Sequence, residues 1–429
     1  MVTLLSNLQE TLLPNGLKIL TKEVPSSPAI SHWVWYRAGS RYEVPGITGI
    51  SHWVEHMLFK GTKNFTKDRI DRLLSKNGGT YNAFTSQDHT TYFETLPARQ
   101  LDLALRIEAD RMQNATFPPE EVEAERTVVI SEREGMENEP TYLLYEEVLA
   151  SAFKVHPYRW PVIGWTCDLK AMTRDDLYNY YREVYSPSNA FLVLVGRFDR
   201  KKTLERISEL YGAIPPGKGL RRQVPPEPPQ SGERRVLVRK PGNTEYVMVA
   251  YHVPPPSHDD ASALMILDAI MSGAKAVRSG PSFERSGRLY KALVEKQLAS
   301  AAHSSYQESV DPNLFTFFVT AKASVPAEKV EKALLREVDR IRSRPPSPKE
   351  SRRALAQTEA QLAYATDGVT GQAYLIGAFE LHLGYQHLAR ILDKLKAVSP
   401  SDVQRVAENY LAEDNRTVGI FKPTKESSK

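Results

Sequence analysis

The stretch from residue 214 to residue 235 (IPPGKGLRRQVPPEPPQSGERR) places six prolines and three glycines among polar residues. No regular element can run through it, because proline brings no amide donor and glycine loses the most freedom on ordering. It reads as a linker that divides the chain into an N-terminal half, residues 1–213, and a C-terminal half, residues 236–429. Each half is long enough to bury a core of its own. The two halves repeat an order of elements. In the first, the apolar run Ala29–Tyr36 (AISHWVWY) precedes a loop and a helix over 51–59; in the second, Tyr246–Val253 (YVMVAYHV) precedes a proline-rich turn and a helix over 261–271 that has no histidine. The pattern predicts an α+β protein of two homologous halves, each of one or two similar α+β subdomains, with chemistry in only the first copy.

Other segments follow simple periodicities. Residues 66–77 and 98–114 have helical spacing, and 81–96, rich in Thr, Tyr and Phe, alternates as a long strand or a hairpin. Pro118 and Pro119 followed by Glu120 and Glu121 open a helix that runs through Glu134. Residues 191–195 and 236–238 read as short buried strands, and 399–411 as a terminal amphipathic helix begun by a Ser-Pro-Ser-Asp cap.

Composition narrows the chemistry. Lysine and arginine number 56 against 52 acids, interspersed, for a net charge of +4, which argues against a dedicated nucleic-acid binder. Cys167 is the single cysteine, so a bound metal must rely on histidine and carboxylate. No apolar run reaches the roughly 18 residues that span a bilayer, which predicts no membrane insertion. The first residues lack a signal-peptide pattern. As the sequence stands, a cytoplasmic location is expected, or a periplasmic or organellar one if a leader has been removed.

The segment ISHWVEHMLFKGT contains His52, Glu55 and His56. On a helix of about 3.6 residues per turn these share one arc of about 100°, while Ile50, Trp53, Val54, Met57 and Leu58 fall opposite. Two imidazoles one turn apart can reach one metal, and the carboxylate between them is better placed as a base for a water at the ion than as a third ligand. The order is the reversed zincin motif, HxxEH. A third ligand has to come from elsewhere. Glu125 and Glu132 lie seven residues apart on the helix from Pro118, so both point one way, with Val122, Val128 and Val129 nearby. Carboxylates on a partly buried face need partners. A salt bridge to an arginine and a zinc ion held with His52 and His56 both satisfy that need.

The blocks GISHWVEHMLFKGT, NAFTSQDHTTYFETLP, EVEAERTVVISEREGMENEP and the stretch from HPYRWPVIGW to VGRFD resemble the pitrilysin and insulinase family, above all its mitochondrial-processing-peptidase-like branch. The likeness runs from TLLPNGLKIL at Thr11 to the closing VSPSDVQRVAENYLAEDNRTVGIFKP. It implies one zinc ion held by His52, His56 and Glu132, the last 132 − 56 = 76 residues after the motif. It further implies Glu55 as general base and Glu125 as an acid that orients or tunes the site. Asn82 and Ala83 match the positions of an edge strand to which an extended peptide adds. Asp88 and His89 in the same block are expected to be surface or structural residues.

One departure is plain. Active members carry an Arg and a Tyr in a run such as LREKxGLxY, whereas this chain has LYKALVEKQLASAAHSSY, with Val294 in the arginine's place and Ser300 or Ala301 in the tyrosine's. Arg288 and Tyr306 are nearby at the wrong separation. The resemblance therefore implies a zinc endopeptidase acting on extended or unfolded peptides, its halves closing as a clamshell. It also implies a partner: a homologous subunit that supplies the Arg and Tyr, or a second copy of the chain. The alternative is a weak or inactive structural subunit of a heteromeric assembly.

Overall fold

The computed structural model describes residues 2–218, 223–276 and 283–424. Its strands are β1 (Leu8–Leu12), β2 (Lys18–Glu23), β3 (Ala29–Tyr36), β4 (Thr80–Thr85), β5 (Thr90–Pro97), β6 (Ala190–Gly196), β7 (Arg234–Pro241), β8 (Tyr246–Val253), β9 (Ala299–Tyr306), β10 (Asn313–Ala321) and β11 (Arg416–Thr424). Four helices matter below: α1 (Ile50–Met57), α2 (Pro119–Glu137), α3 (Pro140–Ala152) and α4 (Gly368–His382). Helix and sheet mix in two halves, as the sequence predicts. The chain forms two compact units whose main boundary falls inside the proline-rich stretch, between Pro225 and Pro226. Among the described residues no helix is long and apolar enough to cross a membrane.

The first unit comprises residues 1–134, 160–225 and 366–385. Its six-stranded sheet runs β1-β2-β6-β3-β5-β4. The apolar run of Trp33, Val34, Trp35 and Tyr36 in β3 suits a central strand covered on both faces, and all four of these residues are buried. The alternating segment is a hairpin, with Asn82 opposite Phe93 and Ala83 opposite Tyr92, and β4 is an edge of the sheet. One face of β3 is covered by α4, which comes from the far end of the chain. There Tyr374 packs 5.8 and 6.0 Å from Trp33 and Trp35, and Thr370 bonds Thr95 at 2.8 Å. Gly377 meets Trp35 so closely that a Cβ would sit 2.4 Å from the indole.

The second unit comprises residues 135–159, 226–365 and 386–429, with a five-stranded sheet ordered β7-β11-β8-β10-β9. Here the covering helix is α3, from before the linker. Its Leu144, Val148 and Leu149 form one buried cluster with Met248, Ala250, Leu314 and Phe421 of the sheet. Close approach again falls at a glycine, because a Cβ on Gly419 of β11 would lie 2.3 Å from Val148. Each unit is thus completed by a helix from the other side of the linker.

Two local expectations are corrected. The strand expected to be buried at 236–238 is the longer β7, a sheet margin paired only with β11, with Leu237 51% exposed and basic residues at both ends. Three aliphatic residues in a row look buried in sequence, but a margin strand has a neighbour on one side alone. On α2, Val122 and Val129 are buried whereas Val128 is 48% exposed. The buried stripe follows Val122, Glu125, Val129 and Arg133 at helical spacing, and Val128 falls outside it.

Candidate metal centre

Helix α1 starts sharply at Gly49, whose φ of 87° is open to glycine and where a Cβ would meet the Ile163 carbonyl at 2.3 Å. The buried Glu43 carboxylate caps the helix, accepting from the amides of Gly49 at 2.7 Å and Ser51 at 2.9 Å. This satisfies orphan amides and puts a negative charge at the positive end of the dipole. Ile50, Trp53, Val54, Met57 and Leu58 are buried beneath it, as the periodicity predicts. Helix α2 is docked alongside by Arg126, whose guanidinium lies 4.7 Å from the Trp53 ring centroid and donates to the Leu169 carbonyl at 2.6 Å.

This packing brings together the residues singled out by spacing. His56 Nε2 lies 3.6 Å and His52 Nε2 3.9 Å from Glu132 Oε2, and the potential ligand atoms of the three all lie within 4.8 Å of one another. Among the described residues this is the one such group of three. Ligands each about 2 Å from a shared zinc ion stand roughly 3 to 4 Å apart, so the two shorter distances fit and the outer limit is looser. The donor set also suits zinc. Two imidazoles converge with a carboxylate, each ring turning its Nε2 toward Glu132 Oε2.

Glu125 does not join the three but stands behind them. Its Oε1 lies 2.8 Å from His56 Nδ1, and its Oε2 pairs with Lys60, one turn beyond His56. A carboxylate on the far nitrogen of a ligating histidine fixes the tautomer and turns Nε2 to the ion. Burial would raise the Glu125 carboxyl, but the bonds to His56 and Lys60 hold it below the ordinary range. Burial, helped by the neighbouring His56, pushes His52 down to about 3, so its ring is neutral at neutral pH with a lone pair to offer. For His56 burial works the same way, yet the Glu125 bond and the charges of Glu55, Glu125 and Glu132 outweigh it and hold the ring above the usual imidazole value.

Glu55 is 8% exposed and faces β4. Thr85 Oγ1 donates to its Oε2 at 2.6 Å. Burial raises the Glu55 carboxyl, and the Thr85 hydroxyl, the charge of His56 and the Thr85 amide pull back against it. Phe84 packs on Trp33 and Trp35, so alternation puts Ala83 and Thr85 on the opposite face of the strand, where Tyr81 meets Phe59. Ala83 is buried and Asn82 exposed, with the Asn82 Oδ1 accepting the Ala83 amide at 2.9 Å. Asp88 and His89 are structural and not on the surface: both are buried, Asp88 beside Arg41 at 3.7 Å and His89 against Trp35 at 4.8 Å. Sequence reasoning missed Glu43, Lys60 and Thr85. The signals were thin: a basic residue four after His56, and a hydroxyl two after Ala83 on the same face of a strand.

Comparison with known proteins joins the two halves. The family description "Insulinase (Peptidase family M16)" matches residues 18–165, and "Peptidase M16 inactive domain" matches residues 171–358. The chain belongs to peptidase family M16. Among M16 relatives, the "Zinc protease PqqE" of Helicobacter pylori is 28% identical over 96% of this chain and 92% of its own length. A "Probable mitochondrial-processing peptidase subunit beta, mitochondrial" of Arabidopsis thaliana is 26% identical over 96% of this chain and 78% of its own length. In structure, a crystallised protease from Helicobacter pylori superposes with a TM-score of 0.90 at 27% identity, covering 97% of this chain and 99% of that one.

The departure from the M16 pattern can now be read in three dimensions. Tyr290–Val294 forms a π-helix that leads to β9, and it offers Val294 where an arginine is expected. Arg288 is committed to Glu350 through two bonds of 2.8 and 3.1 Å, and the Tyr306 hydroxyl donates to the Pro254 carbonyl at 2.9 Å. Both candidate substitutes are occupied within the second unit.

Proposed function

We propose that this M16 chain is a zinc-dependent endopeptidase, or its zinc-bearing subunit, that hydrolyses extended or unfolded peptides. The observation that carries the reading is the convergence of His52, His56 and Glu132 in one unit, with Glu55 beside them and Glu125 behind. The names of M16 relatives, zinc proteases and processing-peptidase subunits, support the same chemistry. His52, His56 and Glu132 would hold the ion. When bound, zinc supplies Lewis-acid activation of a water and of the peptide carbonyl.

The protein's own groups do the rest. Glu55, partly shielded from solvent, takes the proton of the attacking water on its carboxylate and returns it to the departing amine. Glu125 keeps His56 turned toward the cluster, and Lys60 keeps Glu125 ionised. The margin strand β4, with Asn82 and Ala83, receives the substrate as an added strand through main-chain hydrogen bonds.

The commitment of Arg288 and Tyr306 to other partners favours a chain that draws oxyanion stabilisation from a homologous subunit, or from a second copy. The deciding experiment is hydrolysis of a mixed fluorogenic peptide library by the purified chain, its metal quantified, beside Glu55→Gln. Activity lost in the variant, with one zinc retained in both proteins, is the expected result once the required partner is present. Hydrolysis that survives in Glu55→Gln would overturn the assignment. Zinc bound with no hydrolysis, alone or with a homologue carrying the Arg and Tyr, would leave a structural subunit.

A further inference from the structure

We propose that Thr85 is a positioning residue for Glu55: its hydroxyl holds one carboxylate oxygen and so fixes the orientation of the carboxylate for proton transfer, and it does so from the strand that receives the peptide. The inference rests on the reading of Glu55 as general base and adds to it the group that aims that base.

A proton count supports it. An ionised carboxylate only accepts hydrogen bonds, and a threonine hydroxyl has one proton to give. Thr85 Oγ1 lies 2.6 Å from Glu55 Oε2 and 3.1 Å from Thr90 Oγ1. Thr90 spends its own proton on the Ala38 carbonyl, 3.1 Å away, so the Thr85 proton is the one directed at Glu55. Thr85 is the residue whose hydroxyl and amide meet the Glu55 carboxylate, and the hydroxyl engages Oε2. A charge-assisted bond of this length is among the stronger hydrogen bonds available to a side chain. When the carboxylate takes up a proton, Oε2 still accepts from Thr85, so the carboxyl keeps its orientation for the return transfer.

The placement matters as much as the bond. Thr85 ends β4, on the same face as Ala83 and three residues from Asn82, and β4 is an edge of its sheet. A peptide added to that edge would stiffen the strand that carries the hydroxyl. Peptide binding and base alignment then share one element, and substrate engagement sharpens the geometry of the base.

Two substitutions in the full-length chain separate the hydroxyl from the shape of the strand. Thr85→Val keeps the branched side chain and removes the donor; Thr85→Ser keeps the donor. For the peptidase reaction, Thr85→Val is expected to lower kcat about 10- to 100-fold with KM within about threefold, and Thr85→Ser to stay within about threefold of the parent in both. Bound zinc should be unchanged in both variants. Crystal structures of the metal-free variants give a readout that does not require activity: the Glu55 carboxylate should leave its place in Thr85→Val and keep it in Thr85→Ser. An unmoved carboxylate in Thr85→Val, or a larger loss in Thr85→Ser than in Thr85→Val, would overturn the proposal. A parent protein that hydrolyses nothing, even with a homologue carrying the Arg and Tyr, would count against the peptidase reading, while the crystal structures would still decide whether Thr85 holds Glu55.

Discussion

Glu125 receives His56 on one oxygen and Lys60 on the other, so its charge is balanced without its joining the three grouped donors. Replacing it with glutamine keeps the shape and removes the charge. Glu125→Gln should weaken zinc binding by about 10- to 100-fold without unfolding the protein, as checked by chelator competition and circular dichroism. A second prediction concerns acid. His32, His89 and His382 are held by burial at about 4, about 3 and about 4, while an unfolded chain binds these protons near pH 6.5. Between those values the unfolded state carries more protons, so stability of the first unit is full above about pH 6.5 and falls as pH drops toward 4 and 3. Urea midpoints measured across that range should decline, and His89→Asn should make the decline shallower. At this scale the grouping of the three donors was legible in part: helical spacing places His52 and His56 together and aligns Glu125 with Glu132, while the choice of Glu132 over Glu125 came from the resemblance. Glu43, Lys60 and Thr85 were not legible, since a cap, a counter-charge and an aiming hydroxyl take their meaning from a partner that local periodicity does not name.

At the scale of elements, a close approach of helix to sheet falls at a glycine in each unit. In a helix interior, alanine for glycine ordinarily stabilises by about 1 kcal/mol. At Gly377 the sign should reverse, because the new methyl would press into Trp35, an indole already buried on both sides. Gly377→Ala is expected to destabilise the first unit by about 1–3 kcal/mol, and Gly419→Ala, against Val148, to do the same to the second. Chemical denaturation followed by tryptophan fluorescence and by circular dichroism would read the two effects. The elements themselves were largely legible: β3 and β8 follow their apolar runs, the alternating block is a hairpin, and Ser399 and Asp402 form the reciprocal cap expected of the last long helix. What could not be read was which sheet α3 and α4 cover. An amphipathic pattern reports that one face is buried and carries no address for what buries it.

At the scale of the molecule, the exchange of helices predicts that the halves are not separable at the linker. A fragment ending at residue 225 lacks α4 and leaves Trp33 and Trp35 without the cover of Tyr374 and Gly377. Expressed alone it should aggregate or bind hydrophobic dyes, whereas co-expression with residues 226–429 should yield a soluble complex on gel filtration. Activity should follow a different division. With Arg288 tied to Glu350 and Val294 in place of a donor, adding a homologous chain that bears the missing pair should raise the hydrolytic rate by about 10²- to 10³-fold over the chain alone.

The order of synthesis gives the helix exchange its sharpest consequence. Strands β1 to β6 emerge from the ribosome within the first 196 residues, but the helix that roofs their tryptophans ends at His382. Until nearly nine-tenths of the 429 residues have been translated, the first sheet must wait with an aromatic face open to water, and nascent-chain chaperones have their longest opportunity there.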